Sequence, residues 1–557
     1  FWYVPAVEGS PMDRKEEIDR YLMGGPFSWP STIELLATHF VPVKQIAAGE
    51  RARQLGLVQN RFVEPGYVVL DGDGTLRLRA DQITTLHLQW FEAPLRRLAR
   101  QPIERWPAAP GLDEAWAKLR AGDYEQVRSA IALISPFSAD ALAEMTWIAS
   151  VASFCNGERA RAEQQWRYLA EHHRDHPFAA KAALELEGHG PFGRGFEVYS
   201  ELPAAVLAAD PHDGSRAPAG AYPEPALWQR SVAFLLTHAD DDGVYRDSTY
   251  DFGGTDSLPN VHAAVTCLVG EALLAAAERL KANEFELSTP LATRLEQLLQ
   301  QIRTQALAAD WLSLSDRDEI LWARAYALRF LLAWQLRRPA DAESLAPGVR
   351  SALSALLALQ PATGAWFHEY ANPFATATAL QALWSARANG FEVPQANVDQ
   401  GLRALLVNRT EAGAFTYGQT RPGAKPRATV EAAAGRMPLC ELALFRFGQA
   451  DEARLLAALE AAQRHHGLLA AVRKYDDHAD AHGYGGFFFW FDMLGRAEAV
   501  AAVGDADRRR ELAAAVHELV LQLPEFDGCF VDSHELGRAY GTAMALLCLD
   551  ALAVARR

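Results

Sequence analysis

A chain of 557 residues is longer than one hydrophobic core can organise, so two to four structural units are expected and a single small domain is excluded. Half of it is hydrophobic, 10% aromatic and 22% charged, a balance that fills deep cores and excludes a mainly disordered chain. With 70 acidic against 54 basic residues and a formal charge of -16, it offers no positive field to a phosphate backbone, and nucleic acid is excluded as a main partner.

No stretch reaches the roughly 18 uninterrupted apolar residues of a membrane span. Even GFFFWFDMLG runs into Asp492 and Arg496, so a soluble protein without a span is expected. Cys155, Cys267, Cys440, Cys529 and Cys548 form no CxxC pair, which argues against a disulfide framework or a zinc ribbon. The opening FWYVPAVEGS has neither Met nor a charged-then-apolar leader. This is compatible with a leader cleaved or left out, and the compartment, cytoplasmic or exported, stays open.

The first hundred residues alternate helical and extended runs. Ser31 to His39 reads as helix, Phe40 to Val43 as strand and Gly49 to Gly56 as helix. Gly66 to Leu70 and Thr75 to Arg79 read as a hairpin about Asp71-Gly72-Asp73-Gly74, and Leu86 to Arg100 as a closing amphipathic helix. Over residues 1–105 this order resembles the thioredoxin fold, with Glu64-Pro65 where that family places its cis-proline. The family's CxxC is replaced by SWPST, so a non-redox structural or docking role is expected.

Residues 110–190 read as short helix pairs: Leu112 onward with Trp116 and Leu119 on one face and a break at Gly122-Asp123, then Ala141 to Phe154 and Arg159 to Glu171, with Pro177 opening another helix. The spacing resembles tetratricopeptide repeats, which must stack to bury their apolar faces. Residues 191–225, rich in Pro, Gly and Ala, read as a linker.

Across 226–557 a glycine beside an aromatic, a polar loop and a small-residue helix recur about every 45 to 70 residues. The anchors are Gly243-Val244-Tyr245, Asp310-Trp311, Gly364-Ala365-Trp366, Gly413-Ala414-Phe415, Gly483-Tyr484 and Gly528-Cys529-Phe530. HAAVTCLVGEALLAAA, FATATALQALWSA and YGTAMALLCLDALA are the helices that can pack closely. Gln360-Pro361-Ala362-Thr363-Gly364-Ala365-Trp366 matches Q-x3-G-x-W, and on it the region resembles the squalene cyclase and protein prenyltransferase superfamily. The expected fold is therefore multi-domain and mainly α: an N-terminal α/β thioredoxin-like domain, a helical-repeat bridge and a C-terminal (α/α)6 toroid whose motif ties each turn to its neighbouring helices.

In that superfamily triterpene cyclases protonate an alkene with a D-x-D-D acid. No D-x-D-D occurs here, and the nearest acidic run, Asp240-Asp241-Asp242, reads as a solvated helix end. Protein prenyltransferases hold zinc with Asp, Cys and His. Cys529 with Asp527 or Asp532 and His534 supplies those types in one loop without the family pattern, and Cys529 reads more simply as a packing residue, so no metal site is assigned.

The densest polar cluster runs from Tyr475 to Gly486. His478, Asp480, His482 and Tyr484, with His368 and Glu369 from another repeat, are candidate catalytic residues for acid/base work or for a divalent metal, the bland reading being a loop that caps an apolar helix. His262, Tyr370, Asn372, Arg427, His534, Glu535, Arg538 and Tyr540 occupy comparable loops and are candidate ligand-binding residues, or caps of their own helices.

The resulting expectation is a non-redox scaffold or binding protein whose toroid cavity takes an apolar, isoprenoid-like molecule or a protein partner. The alternative is a toroid-superfamily enzyme, cyclase- or prenyltransferase-like, or epimerase-like or glycan-active, using the His/Asp/Glu cluster. No cofactor is predicted, a divalent metal being open to the cluster, and whether the chain is an enzyme is left open.

Overall fold

The computed structural model describes residues 1–6, 15–58, 62, 64–81, 83, 86–102, 109–199, 222–250, 256–421, 423–473, 488–533 and 535–556. The chain divides into one unit of Phe1–Ala221, Lys474–Asp476 and Pro524–Gly528 and another of Tyr222–Arg473, Asp477–Leu523 and Cys529–Arg557.

In the first unit, β1 (Trp2–Val4), β2 (Val43–Lys44), β3 (Gly66–Leu70) and β4 (Leu76–Ala80) form a sheet in the order β2-β1-β3-β4. β1 runs parallel to β2 and antiparallel to β3, and β3 pairs antiparallel with β4. The hairpin tip closes as its Asp-Gly steps dictate, with the Asp71 N–H on the Thr75 carbonyl and the Gly74 N–H on that of Asp71, both at 2.9 Å. The Glu64–Pro65 peptide is cis.

Helices α1 (Lys15–Gly24), α2 (Pro30–His39), α3 (Gly49–Gln54) and α4 (Leu88–Leu98) accompany the sheet. The second strand starts at Val43 and not at Phe40, because Phe40 still caps α2 through its N–H on the Leu36 carbonyl. At the start of α2 the Ser31 and Thr32 hydroxyls both donate to Oε1 of buried Glu92, whose Oε2 takes Arg96 Nε at 2.8 Å. These side chains join α2 to α4.

Five helices follow: α5 (Asp113–Ala121), α6 (Tyr124–Ala132), α7 (Ala139–Cys155), α8 (Arg159–His172) and α9 (Pro177–Leu186). Each packs on the next around Trp116, Trp147, Trp166 and Phe178. Residues 191–199, expected in the linker, are largely buried in this unit. Phe192 and Tyr199 enter the helical core, and Glu197 pairs with buried Lys181 while accepting the Tyr199 hydroxyl. Residues 200–221, the rest of the expected linker apart from 222–225, lie outside the described residues.

The second unit holds α10 (Glu224–His238), α11 (Leu258–Lys281), α12 (Thr289–Leu307), α13 (Ile320–Arg337), α14 (Ala342–Ala358), α15 (Pro373–Ala388), α16 (Gln395–Leu406), α17 (Val430–Ala433), α18 (Met437–Arg446), α19 (Glu452–Arg464), α20 (His466–Val472), α21 (Phe489–Ala501), α22 (Ala506–Leu521) and α23 (Gly537–Arg556). Among the described residues, α11, α13, α15, α18, α21 and α23 pack each on the next, and α23 returns to α11, closing a ring. Outside it, α10, α12, α14, α16, α19 and α22 each lean on inner neighbours. The small-residue stretches singled out above are inner helices α11, α15 and α23, buried along nearly their whole length.

The repeated turn has one geometry. Gly243, Gly364, Gly413 and Gly528 take φ between +82° and +85°. The aromatic two residues on anchors to the next inner helix in three repeats: the Tyr245, Trp366 and Phe530 N–H groups donate to Thr266, Thr376 and Thr542 Oγ1, each at 3.1 Å. In the Q-x3-G-x-W copy the Trp366 indole reaches back to the Leu356 carbonyl on α14 at 3.1 Å, while Gln360 bonds the Gly364 carbonyl and, at 2.9 Å, that of Asn397 on α16.

Helices α11 and α23 are long and apolar enough by composition to cross a membrane, although polar residues interrupt both. Here they are inner-ring helices, 89% and 78% buried over their most apolar windows. Deeper along the axis the ring is filled by charge: Arg329 on α13 pairs with Glu271 on α11 at 3.1 Å and Glu498 on α21 at 2.8 Å.

Gly364 and Gly390 share φ +84°, but a Cβ on Gly364 would lie 2.4 Å from the Gln400 carbonyl oxygen, whereas one on Gly390 would meet nothing within 4 Å. Gly390→Ala is expected to cost about 1 kcal/mol through backbone strain alone. Gly364→Ala should cost about 3 kcal/mol or more, both read as urea-unfolding free energies.

Candidate functional site

The site is built at the entrances to the inner helices. Before α13 runs Asp316-Arg317-Asp318-Glu319. Asp316 folds it: Oδ1 accepts the Asp318 and Glu319 N–H groups at 2.9 and 3.2 Å, and Oδ2 accepts Asn260 Nδ2 of α11 at 2.6 Å. This fixes the turn that enters the helix and leaves the Glu319 side chain, 2% exposed, facing the ring interior beside Trp322.

The next loop supplies His368 and Glu369. β5 (Phe367–His368) and β6 (Tyr370–Ala371) pair antiparallel about Glu369, whose φ is +57°. Asn372 holds this tip: Nδ2 donates to the His368 and Tyr370 carbonyls at 3.1 and 3.0 Å, and Oδ1 caps α15 through the Ala375 N–H at 2.9 Å. The turn thereby presents His368, 2% exposed, to Glu319 and Trp322.

His368 Nδ1 stands 3.0 Å from the Asp318 carbonyl, 3.1 Å from Trp322 Nε1 and 3.5 Å from Glu319 Oε1. His368 Nε2 stands 3.7 Å from Glu369 Oε1, to which the Tyr250 hydroxyl donates at 3.4 Å. Burial, reinforced by the charges of Asp316, Glu369 and Asp318, pushes the Glu319 carboxyl well above the usual carboxylate range. Burial and the Asp316 charge also raise Asp318. Burial therefore favours the protonated, neutral form of Glu319 when nothing cationic sits beside it.

Glu319 faces a cavity of about 40 Å³, room for roughly three waters. Trp322, Tyr326, Phe488, Phe491, Tyr540, Tyr250, Leu536 and aliphatic residues of α11 line it, and Glu319 is the one carboxyl group among the described lining residues. Trp322 meets Phe491 and His368 edge-on, with ring centroids 5.6 and 5.2 Å apart.

Of the candidate residues, His368 and Glu369 come together beside Glu319, and Tyr540 lines the cavity that Glu319 faces. His262 lies on α11 with Nε2 3.0 Å from the Ser248 carbonyl, and burial lowers its pKa. Asn372 is a cap, as the bland reading had it. Arg538 stacks over Phe234 of outer helix α10 at 4.6 Å, away from the cavity lining, and Glu535 is buried, its carbonyl taking the Thr249 N–H and Ser248 hydroxyl. Tyr370 and Arg427 are exposed, with Tyr370 near Tyr417. His478, Asp480, His482, Tyr484 and His534 lie outside the described residues.

Cys529 is buried in its repeat turn, and Asp532 takes the Trp490 N–H at the head of α21 at 2.7 Å. Among the described residues, the His, Cys, Asp and Glu side chains close enough to share an ion are instead Glu319, His368 and Glu369. Asp240 and Asp242 pair with Arg246 in a turn, at 2.8 and 2.7 Å. The acidic run that matters is 316–319, a D-x-D-E one methylene from D-x-D-D. Its position at the head of an inner helix was the available signal, and comparing the acidic runs with the repeat boundaries exposes it.

Neither the known protein-family models nor the curated proteins contain a match to the chain. Among solved structures it is similar to the ent-copalyl diphosphate synthase from Streptomyces platensis, at 14% identity over 84% of this chain and 100% of that one, with a TM-score of 0.24. A likeness so faint carries no argument about fold or activity.

Burial raises Asp532 from 3.8 to about 7, and Glu185 of the first unit from 4.5 to about 7. Both folded values lie above the unfolded ones. The stability these neutral forms contribute is complete below about pH 4 and lost as pH rises through 7. Unfolding free energy should fall between about pH 4 and 7, and Asp532→Asn should flatten that fall in urea titrations.

Proposed function

We propose that the ring is an enzyme of the squalene cyclase and prenyltransferase type that protonates a carbon–carbon double bond of an isoprenoid-like ligand, with Glu319 as the acid. The observation that carries this reading is a buried carboxyl, whose pKa burial raises, set in a wall of aromatic rings. The ring closure and the Q-x3-G-x-W and D-x-D-E segments support it.

In the first step a proton leaves the Glu319 carboxyl and forms a C–H bond with the π pair of the alkene. The adjacent carbon becomes cationic and Glu319 an anion. The faces of Trp322, Tyr326, Phe491 and Tyr540 favour that cation in a site with little water. Loss of a proton from the rearranged cation ends the sequence with no net change of charge. His368 and Glu369 lead from the buried acid to a less buried carboxyl and offer a route for the proton's return. An isoprenoid needs more room than the present cavity, so binding requires side-chain movement around loop residues Phe488 and Leu536.

For the N-terminal unit we propose a non-redox docking role. The sheet order and strand directions support the thioredoxin-like reading, and the stacked helix pairs support the tetratricopeptide-like one. The Ser31 and Thr32 bonds to Glu92 give the SWPST segment a structural task.

Incubation with linear polyenes, free and as diphosphates, followed by mass spectrometry of the extract tests the acid. The expected result is a cyclised isomer of unchanged mass, reduced at least ~100-fold by Glu319→Gln with the melting temperature held. A variant as active as the parent would refute the assignment of Glu319.

A further inference from the structure

We propose that Glu319, His368 and Glu369 form a binding site for one divalent cation of the Zn2+, Mn2+ or Fe2+ kind. One donor atom from each lies within 4.8 Å of the others. Atoms sharing an ion at about 2.0–2.2 Å stand about 3 to 4.4 Å apart. The 3.7 Å contact between His368 Nε2 and Glu369 Oε1 is too long for a good hydrogen bond and fits common ligation.

Two further observations point to an ion. The Asp318 carbonyl, 3.0 Å from His368 Nδ1, is the partner a metal-bound imidazole uses for its other N–H, which turns the Nε2 lone pair toward Glu369. Glu319 Oε1, in a side chain 2% exposed, accepts no hydrogen bond among the described residues and faces the same imidazole. Asp316 and Asp318 deepen the negative potential. One imidazole with two carboxylates suits borderline cations such as Zn2+, Mn2+ and Fe2+.

Trp322 Nε1, 3.1 Å from the same Nδ1, supports the opposite tautomer, with the proton on Nε2 facing Glu369. Ligation through Nε2 therefore requires the imidazole proton on Nδ1, toward the Asp318 carbonyl. The inference does not rest on the acid reading. A bound cation displaces the proton that Glu319 carries and so suppresses the acid step, while binding itself is measurable without substrate.

The test is calorimetric titration of the full chain, stripped with EDTA, using Zn2+ as the probe. One equivalent should bind, be lost in His368→Ala and weaken at least tenfold in Glu369→Gln. It should persist when His478 and His482 are both replaced by Ala, which separates this site from the other histidine cluster. Glu369→Gln keeps the side-chain shape, so the test holds even where His368→Ala unfolds. Absence of binding, binding untouched by Glu369→Gln, or loss confined to the His478/His482 variant would overturn the site. If Glu319→Gln abolishes turnover in a chain that binds no Zn2+, the acid reading stands and this inference alone falls.

Discussion

The site exists because the ring closes on itself. The first and last repeats are joined where α10, α11 and α23 meet: the Asp247 carboxylate takes the Ala539 N–H at 2.9 Å, Ser248 and Thr249 bond the Glu535 carbonyl, and Glu224 on α10 meets His517 on α22 at 2.9 Å. These partners are nearly 300 residues apart in the chain. Closure brings the loops before successive inner helices to one end, where Tyr250, Glu319, His368, Phe488 and Leu536 belong to five separate segments. An open superhelix of the same helices would bury each loop against its neighbours and leave no shared cavity.

Charge is distributed unequally along the axis. One turn past Tyr326, Arg329 answers the half-buried Glu271 and Glu498, so the acids there have a guanidinium beside them. The guanidinium stays protonated because those carboxylates outweigh its burial. At the cavity end, Asp316, Asp318, Glu319 and Glu369 gather with one imidazole and no lysine or arginine among the described lining residues. A buried carboxyl in that setting is stable as the neutral acid or beside a cation, and its environment forbids the bare anion. Proton donation and cation binding are two outcomes of that one constraint.

Much of the ring was legible because its signals are local and repeated. A glycine that must take positive φ, an aromatic that reaches the next helix and small residues on the inner face recur in the sequence, and each has the expected task at Gly364, Trp366 and the α15 stripe. The hairpin at Asp71–Gly74 was legible for the same reason. Strand β1 was not expected, since three residues at the chain start carry no period, and β2 shifted because Phe40 completes a helix. The site was half legible. His368 and Glu369 stood out as polar residues in a repeat loop, but Glu319 was hidden in a run that departs from D-x-D-D by one methylene. Asn372 and Arg538 looked the same as ligands or as structural groups until their partners were known. What separated them was the fold's choice of which face each loop presents, a long-range property that no local pattern carries.

The central claim is that Glu319 and His368, 49 positions apart in the sequence, share one buried pocket. A double-mutant cycle of Glu319→Gln and His368→Asn, read as urea-unfolding free energies, addresses it most directly. Contact predicts a coupling of about 1 kcal/mol or more, whereas additivity within about 0.5 kcal/mol would mean the two side chains do not meet and would contradict the account.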